Sequence, residues 1–203
     1  MSLVEDGSGA YTHAEKINSF IKKGLADAGI SFSELNGVAV SEGPGSYTGL
    51  RIGVSAAKGV AYALELPLIA INTLQAMSTE VVNGNPNDLF IPMIDARRME
   101  VFCSGFSGDG RTVFSTRAEI LTEDSFPEAK QFERVFYFGD GASKCQEILT
   151  PLGFDIIKDI QASARGMVLP ASRSFSKGDF VDRAYFEPFY LKDFVAGKKK
   201  KST

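Results

Sequence analysis

The chain has 203 residues, a formal net charge of −3, 44% hydrophobic and 23% charged residues, which allows one medium domain or two small lobes and gives no overall pull towards nucleic acid. No apolar run nears the roughly 20 residues that span a bilayer, and no secretory signal opens the chain, so no membrane partner is expected and the cytoplasm is the expected compartment. Cys103 and Cys145 lie too far apart in sequence to suggest a disulfide framework, and a single histidine, His13, excludes a histidine-rich metal cluster and leaves Ser46 with no evident base for nucleophilic catalysis.

In chain order, the start is turn-rich. Met1-Ser2-Leu3 runs into VEDGSGAYTH with no opening hydrophobic strand, and further natural residues are expected upstream. From Thr12 to about Ala28, Ile17, Phe20, Ile21 and Leu25 recur at three- and four-residue spacing, which predicts a helix with Thr12 as N-cap, Glu15 as its capping-box partner and Gly29 as the stop. Gly37–Ser41 reads as a buried strand. A second helix is predicted over Thr48–Leu64, and its interior glycines each cost about 1 kcal/mol relative to alanine, so they call for close approach of another backbone. Pro67–Ile71 reads as a strand and TLQAMSTEVV as a helix. NGNPN, residues 83–87, is a strong loop and marks the expected boundary between an N-terminal lobe, 1–86, and a C-terminal lobe, 87–195. Strands follow at LFIPMID, MEVFCSGF and TVFSTRAEIL, with Ala96–Arg98 turning between the first two. VFYFGDGA predicts a strand and glycine loop, SKCQEILTPL a helix, FDIIKDI a late strand, and SARGMVLPASRSFSKG a helix interrupted at Pro170. The lysine run from Lys198 to Lys201 reads as a disordered tail over 196–203.

Two strand–glycine-loop–helix junctions carry the candidate chemistry. VAVSEGPGSYTG offers Gly43, Gly45 and Ser46, and FYFGDGASKC offers Gly139, Asp140 and Gly141. Backbone N–H groups at such junctions favour anions, so both sets are candidate phosphate-facing residues. Tight turns in an α/β protein explain them equally. Neither loop matches the P-loop or the dinucleotide fingerprint. Asp140 reads as a helix cap, with metal ligation as the alternative. Arg97 and Arg98 read as a solvated turn beside Asp95 or as an anion contact.

The stretch SEGPGSYTGLRIGVSAAKGVAYALELPLIAINTLQAM closely resembles the TsaB (YeaZ) family, and IDARRMEVF, FGDGA and EPFYLKD match later landmarks of that family in the same order. The resemblance implies a two-lobed actin-like (ribonuclease H-like) α/β fold, here expected to lack the opening strands of its first lobe. It implies a non-catalytic scaffold subunit in formation of N6-threonylcarbamoyladenosine beside the tRNA anticodon, with no cofactor of its own. A TsaD-like paralogue and a TsaE-like ATPase are the implied partners, tRNA is reached through the complex, and a homodimer is expected in isolation. The implied docking surface comprises His13, Ile17, Tyr47, Arg51, Ile52, Gly53, Ala56, Ala57 and Val60. Where TsaD-like relatives carry two metal-binding histidines and a glutamate, Thr73, Met77 and Gln75 stand here, so no metal site is expected. The alternatives are an actin-like small-molecule kinase or ATPase, suggested by the two glycine junctions, and a metalloprotease, suggested only by the older label of the wider family.

Overall fold

A computed structural model describes residues 1–6 and 13–192. Helix α1 spans His13–Ala28, as the apolar spacing predicts, and the chain turns at Gly29 with φ +70. The expected N-cap, Thr12, lies outside the described residues. Strand β1 (Val38–Gly43) and strand β2 (Leu68–Asn72) run parallel, with Val38 opposite Leu68. Parallel strands need a crossover, and helix α2 (Tyr47–Ala63) supplies it, its N-cap Ser46 accepting a hydrogen bond from the Gly49 N–H.

Side-chain alternation along β1 and β2 builds a three-layer lobe. Val40 and Leu68 pack against Val54, Ala57 and Ala61 of α2. On the opposite face, Ile69 and Ile71 pack with Ala76 of α3 (Thr73–Ser78) and with Met167 and Ala171 of α5 (Ala164–Lys177). Among the described residues β1 is paired on one side only, and Ala39 is exposed.

The second sheet has strand order β5-β4-β3-β6-β7, from β3 (Asp88–Asp95), β4 (Glu100–Ser107), β5 (Thr112–Ile120), β6 (Arg134–Phe138) and β7 (Asp155–Ile157). The β3–β4 and β4–β5 pairs are antiparallel, and β3–β6 and β6–β7 are parallel. Leu89, Ile91 and Met93 face one core with Cys103, Tyr137 and Leu149, while Phe90 and Ile94 face another with Leu74, Met77 and Phe138. Burial pushes the free thiols of Cys103 and Cys145 up, to about 12 and about 11. Reactive thiolate chemistry at neutral pH is therefore not expected of either.

The chain crosses to the second sheet through residues 83–87 and returns to the first at α5. Val181 bridges Leu68, the Phe189 N–H donates to the Glu42 carbonyl at 2.8 Å, and Arg183 donates to the carbonyls of Ala61 and Leu66. Lys58 donates in turn to the carbonyls of Ala184 and Phe186. Residues 164–189 thus pack with the N-terminal lobe.

Two helices differ from their sequence patterns. SKCQEILTPL divides into a short 3-10 turn, α4 (Gln146–Leu149) and a second 3-10 turn at Thr150–Leu152. Pro151 has no N–H with which to extend the α ladder. Helix α5, by contrast, runs unbroken through Pro170. The proline removes the donor for the Gly166 carbonyl, and the Thr79 hydroxyl of the neighbouring layer lies 2.7 Å from that carbonyl instead. The single Thr79 hydroxyl proton is shared between that carbonyl and the Ala76 carbonyl of its own helix, also at 2.7 Å, a contact that periodicity within α5 cannot reveal. Thr79→Val keeps the shape and removes the donor, and is expected to cost about 1–2 kcal/mol in chemical denaturation; unchanged stability would show that the carbonyl does not depend on Thr79.

Candidate partner-docking face

Helices α1 and α2 and the unpaired edge of β1 enclose an open groove of about 860 Å³, lined largely by apolar side chains. Six of the expected docking residues line it: Ile17 from α1, and Ile52, Gly53, Ala56, Ala57 and Val60 from α2. Leu3 and Val4 of the opening segment line it as well.

The glycines of α2 are informative by what surrounds them. A Cβ at Gly53 or Gly59 would meet no other atom of the chain within 4 Å, outside the helix's own backbone and immediate neighbours. Neither glycine is therefore required by packing inside the chain, although each costs about 1 kcal/mol of helix stability relative to alanine. Ala57 differs: it is buried and packs with Val40, Val54, Ala61 and Leu68. Its small size serves the core of the lobe as well as the groove.

Tyr47 and Arg51 stand at the start of α2 and do not line the groove. The Arg51 guanidinium lies over the Tyr47 ring at 4.9 Å, and Tyr47 packs on Tyr190 of the returning segment, also at 4.9 Å. His13 begins α1, and its side chain lies outside the described residues.

The two glycine loops have separate surroundings. Gly43, at φ +120, lies where a Cβ would meet the Phe189 carbonyl oxygen at 2.7 Å, and the following Gly43–Pro44 peptide is cis. Gly45 lies against Leu50, and Ser46 is the N-cap of α2. Gly139, at φ +105, leaves 2.3 Å between a Cβ and the Met93 carbonyl oxygen, and Gly141 crowds the backbone of Ile94 at 2.9 Å. Within this second loop the Gly141 N–H donates to Met93 and the Ala142 N–H donates to Gly139. Asp140 caps no helix; its carboxylate accepts from the Asp95 N–H at 3.1 Å. Lys144 donates to Asp95, and this bond holds the Asp95 carboxyl below its ordinary range. Arg97 and Arg98, at φ +69 and +53, form the β3–β4 turn, where the Arg97 N–H donates to the Asp95 carboxylate.

The structure adds residues that sequence reasoning passed over. The Ser41 and Thr73 hydroxyls hydrogen-bond at 2.6 Å. Asn72 accepts from the N–H groups of Leu74 and Gln75 at the start of α3, and its amide donates to Thr116 of the second sheet at 3.2 Å. Asparagine directly before TLQAM is a recognisable N-cap signal; the bond to Thr116 has no sequence signal. Thr73 is thus engaged, Met77 is buried in the core at 1% exposure, and Gln75 is exposed. A hydroxyl, a thioether and an amide in these settings do not fit a histidine-type metal centre. Among the described residues, no three His, Cys, Asp or Glu side chains group as a metal site.

Glu42 sits beside this cluster, half-buried, and burial raises its carboxyl pKa. The folded protein therefore disfavours the charged form, and the resulting cost is present above the raised pKa. It vanishes where the carboxyl is protonated in both folded and unfolded states, below about pH 4. Glu42→Gln is expected to raise the melting temperature at neutral pH and to leave it unchanged in acid. A gain that persisted at low pH would assign the effect to something other than charge.

A parallel strand pair covered by helices on both faces, set beside a larger mixed sheet, is the two-lobed α/β architecture of actin-like, ribonuclease H-like proteins. The chain belongs to the family described as TsaD, tRNA N6-adenosine threonylcarbamoyltransferase, whose model matches residues 9–175. It is similar to the tRNA threonylcarbamoyladenosine biosynthesis protein TsaB of Escherichia coli K12, at 29% identity over 92% of this chain and 84% of the relative. The TsaB protein of Haemophilus influenzae is 28% identical over 93% of this chain and 83% of its own length. Among solved structures, YeaZ from Pseudomonas aeruginosa superposes with a TM-score of 0.74 at 22% identity, covering 94% of this chain and 92% of that one. No helix among the described residues is long and apolar enough to cross a membrane.

Proposed function

We propose that this chain acts in formation of N6-threonylcarbamoyladenosine in tRNA as a non-catalytic scaffold, pairing through the α1–α2 face with a TsaD-like paralogue that carries the transfer chemistry. The observation that carries this reading is the open surroundings of Gly53, which lines an apolar groove. A contiguous apolar surface of this kind marks an interface, and small residues on it admit a partner's backbone. Thr73 and Met77 support the absence of catalysis, because both are engaged in the fold where the TsaD pattern has metal ligands. A TsaE-like ATPase joins the pair, tRNA is met through the complex, and the site of action is the cytoplasm. Alone, the chain self-associates through the same face. The test is co-purification of the chain with the TsaD-like protein of the same organism, followed by native mass spectrometry. A one-to-one pair at micromolar concentration is expected, and its absence would overturn the pairing.

A further inference from the structure

The opposite side of the N-terminal lobe carries a second surface. Helix α5 packs inward through Gly166, Met167, Pro170 and Ala171. Gly166 is close enough to α3 that a Cβ would lie 2.2 Å from the Ala76 carbonyl oxygen. Its outward positions are Arg165, Val168, Leu169, Ser172, Arg173, Ser176 and Lys177, all exposed and spaced by three and four residues.

This stripe combines two features. Val168 and Leu169 are 51% and 49% exposed at its centre, with Arg165 one turn before them and Arg173 one turn after. The helix has three cations and no carboxylate, in a chain whose acidic residues outnumber its basic ones by 25 to 22. Among the described residues none of the three cations makes an ion pair, which is also true of Lys22, Lys130 and Lys158, so what sets α5 apart is that its cations share one face with no carboxylate on the helix. Of the carboxylates that touch this helix, Glu5 accepts from the N-cap Ser163 and Glu80 lies on the inner side beside Gly166.

We propose that the outer face of α5 docks an acidic amphipathic segment of a protein partner. Carboxylates of that segment meet Arg165, Arg173 and Lys177, and its apolar side chains cover Val168 and Leu169. A nucleic-acid backbone would use the cations and leave the two aliphatic side chains exposed, which favours the protein segment. The exposed stripe turns away from β1 and β2 on the side opposite α2, while Ala164 and Met167, on the inner side of α5, reach the groove.

The full chain is titrated, by fluorescence anisotropy, into a labelled alanine-based helical peptide carrying leucines flanked by glutamates. A peptide with lysines in place of the glutamates and an unmodified tRNA transcript serve as comparison probes. The acidic peptide is expected to bind, weakening as salt rises, while the lysine peptide does not. The combined R165E, R173E and K177E variant is expected to lose about tenfold or more in affinity, and the V168S and L169S variant several-fold. Both keep the parent's circular dichroism and its pairing through the α2 face. The proposal is overturned by no binding of the acidic peptide, or by binding that neither variant alters. It is also overturned by tRNA binding that needs the cations and ignores Val168 and Leu169.

Discussion

Gly53→Leu is expected to abolish pairing with the TsaD-like paralogue while the isolated chain stays folded. The substitution adds four carbons to a position where a Cβ has no neighbour within 4 Å and the side chain opens into the groove. It also replaces a poor helix former with a good one, a gain of about 1 kcal/mol for the isolated protein. In the proposed pair the same bulk would stand where the partner's backbone approaches Gly53. Gel filtration of the mixed proteins and a thermal melt of the variant separate the two effects. A variant that melts at or above the parent temperature and still pairs would remove Gly53 from the interface. Ala57→Leu is a poorer probe, because Ala57 packs in the core of the lobe and enlarging it would disturb the fold itself.

Gly139→Ala is expected to be among the most damaging substitutions for stability. Two penalties coincide there. The backbone stands at φ +105, where a side chain is strained, and the new Cβ would meet the Met93 carbonyl oxygen at 2.3 Å and the Met77 methyl at 2.7 Å. Each penalty is worth about 1–3 kcal/mol, against a total stability of about 5–15 kcal/mol for a domain. Denaturant unfolding without any ligand should show the loss in full. A stable variant would mean that the loop can move away from β3, and would reopen a ligand-binding reason for the glycine.

The order of elements was largely legible because it rests on local signals. The spacing of Ile17, Phe20, Ile21 and Leu25 marks α1, and the apolar runs bounded by glycine, proline or asparagine mark β1, β2, β3 and β6. What escaped was contact between distant parts of the chain. Pro170 reads as an interruption until Thr79 is seen beside Gly166, 87 residues away in sequence. The glycines of FGDGA suit a phosphate loop on paper, and only the approach of β3 gives them a packing reason. The groove between α1 and α2 was legible in part. The small residues of α2 pointed to a backbone neighbour, but only the structure separates Gly53, which has open space, from Ala57, which has a place in the core. Tyr47 and Arg51 belong to the docking set that the family resemblance implies, and the packing of Tyr47 between Arg51 and Tyr190 has no local signal.

The returning segment touches both sheets within a few residues. The Phe189 N–H is bonded to Glu42 at the end of β1, and the Lys192 ammonium is paired with Glu100 at the start of β4. The three residues of chain from Phe189 to Lys192 reach at most about 11 Å when fully extended. Wide separation of the two sheets at this edge would therefore part either the Phe189–Glu42 backbone bond or the half-exposed Lys192–Glu100 ion pair, of which the ion pair is the weaker. The same few residues thus serve as a clasp that joins the end of β1 to the start of β4.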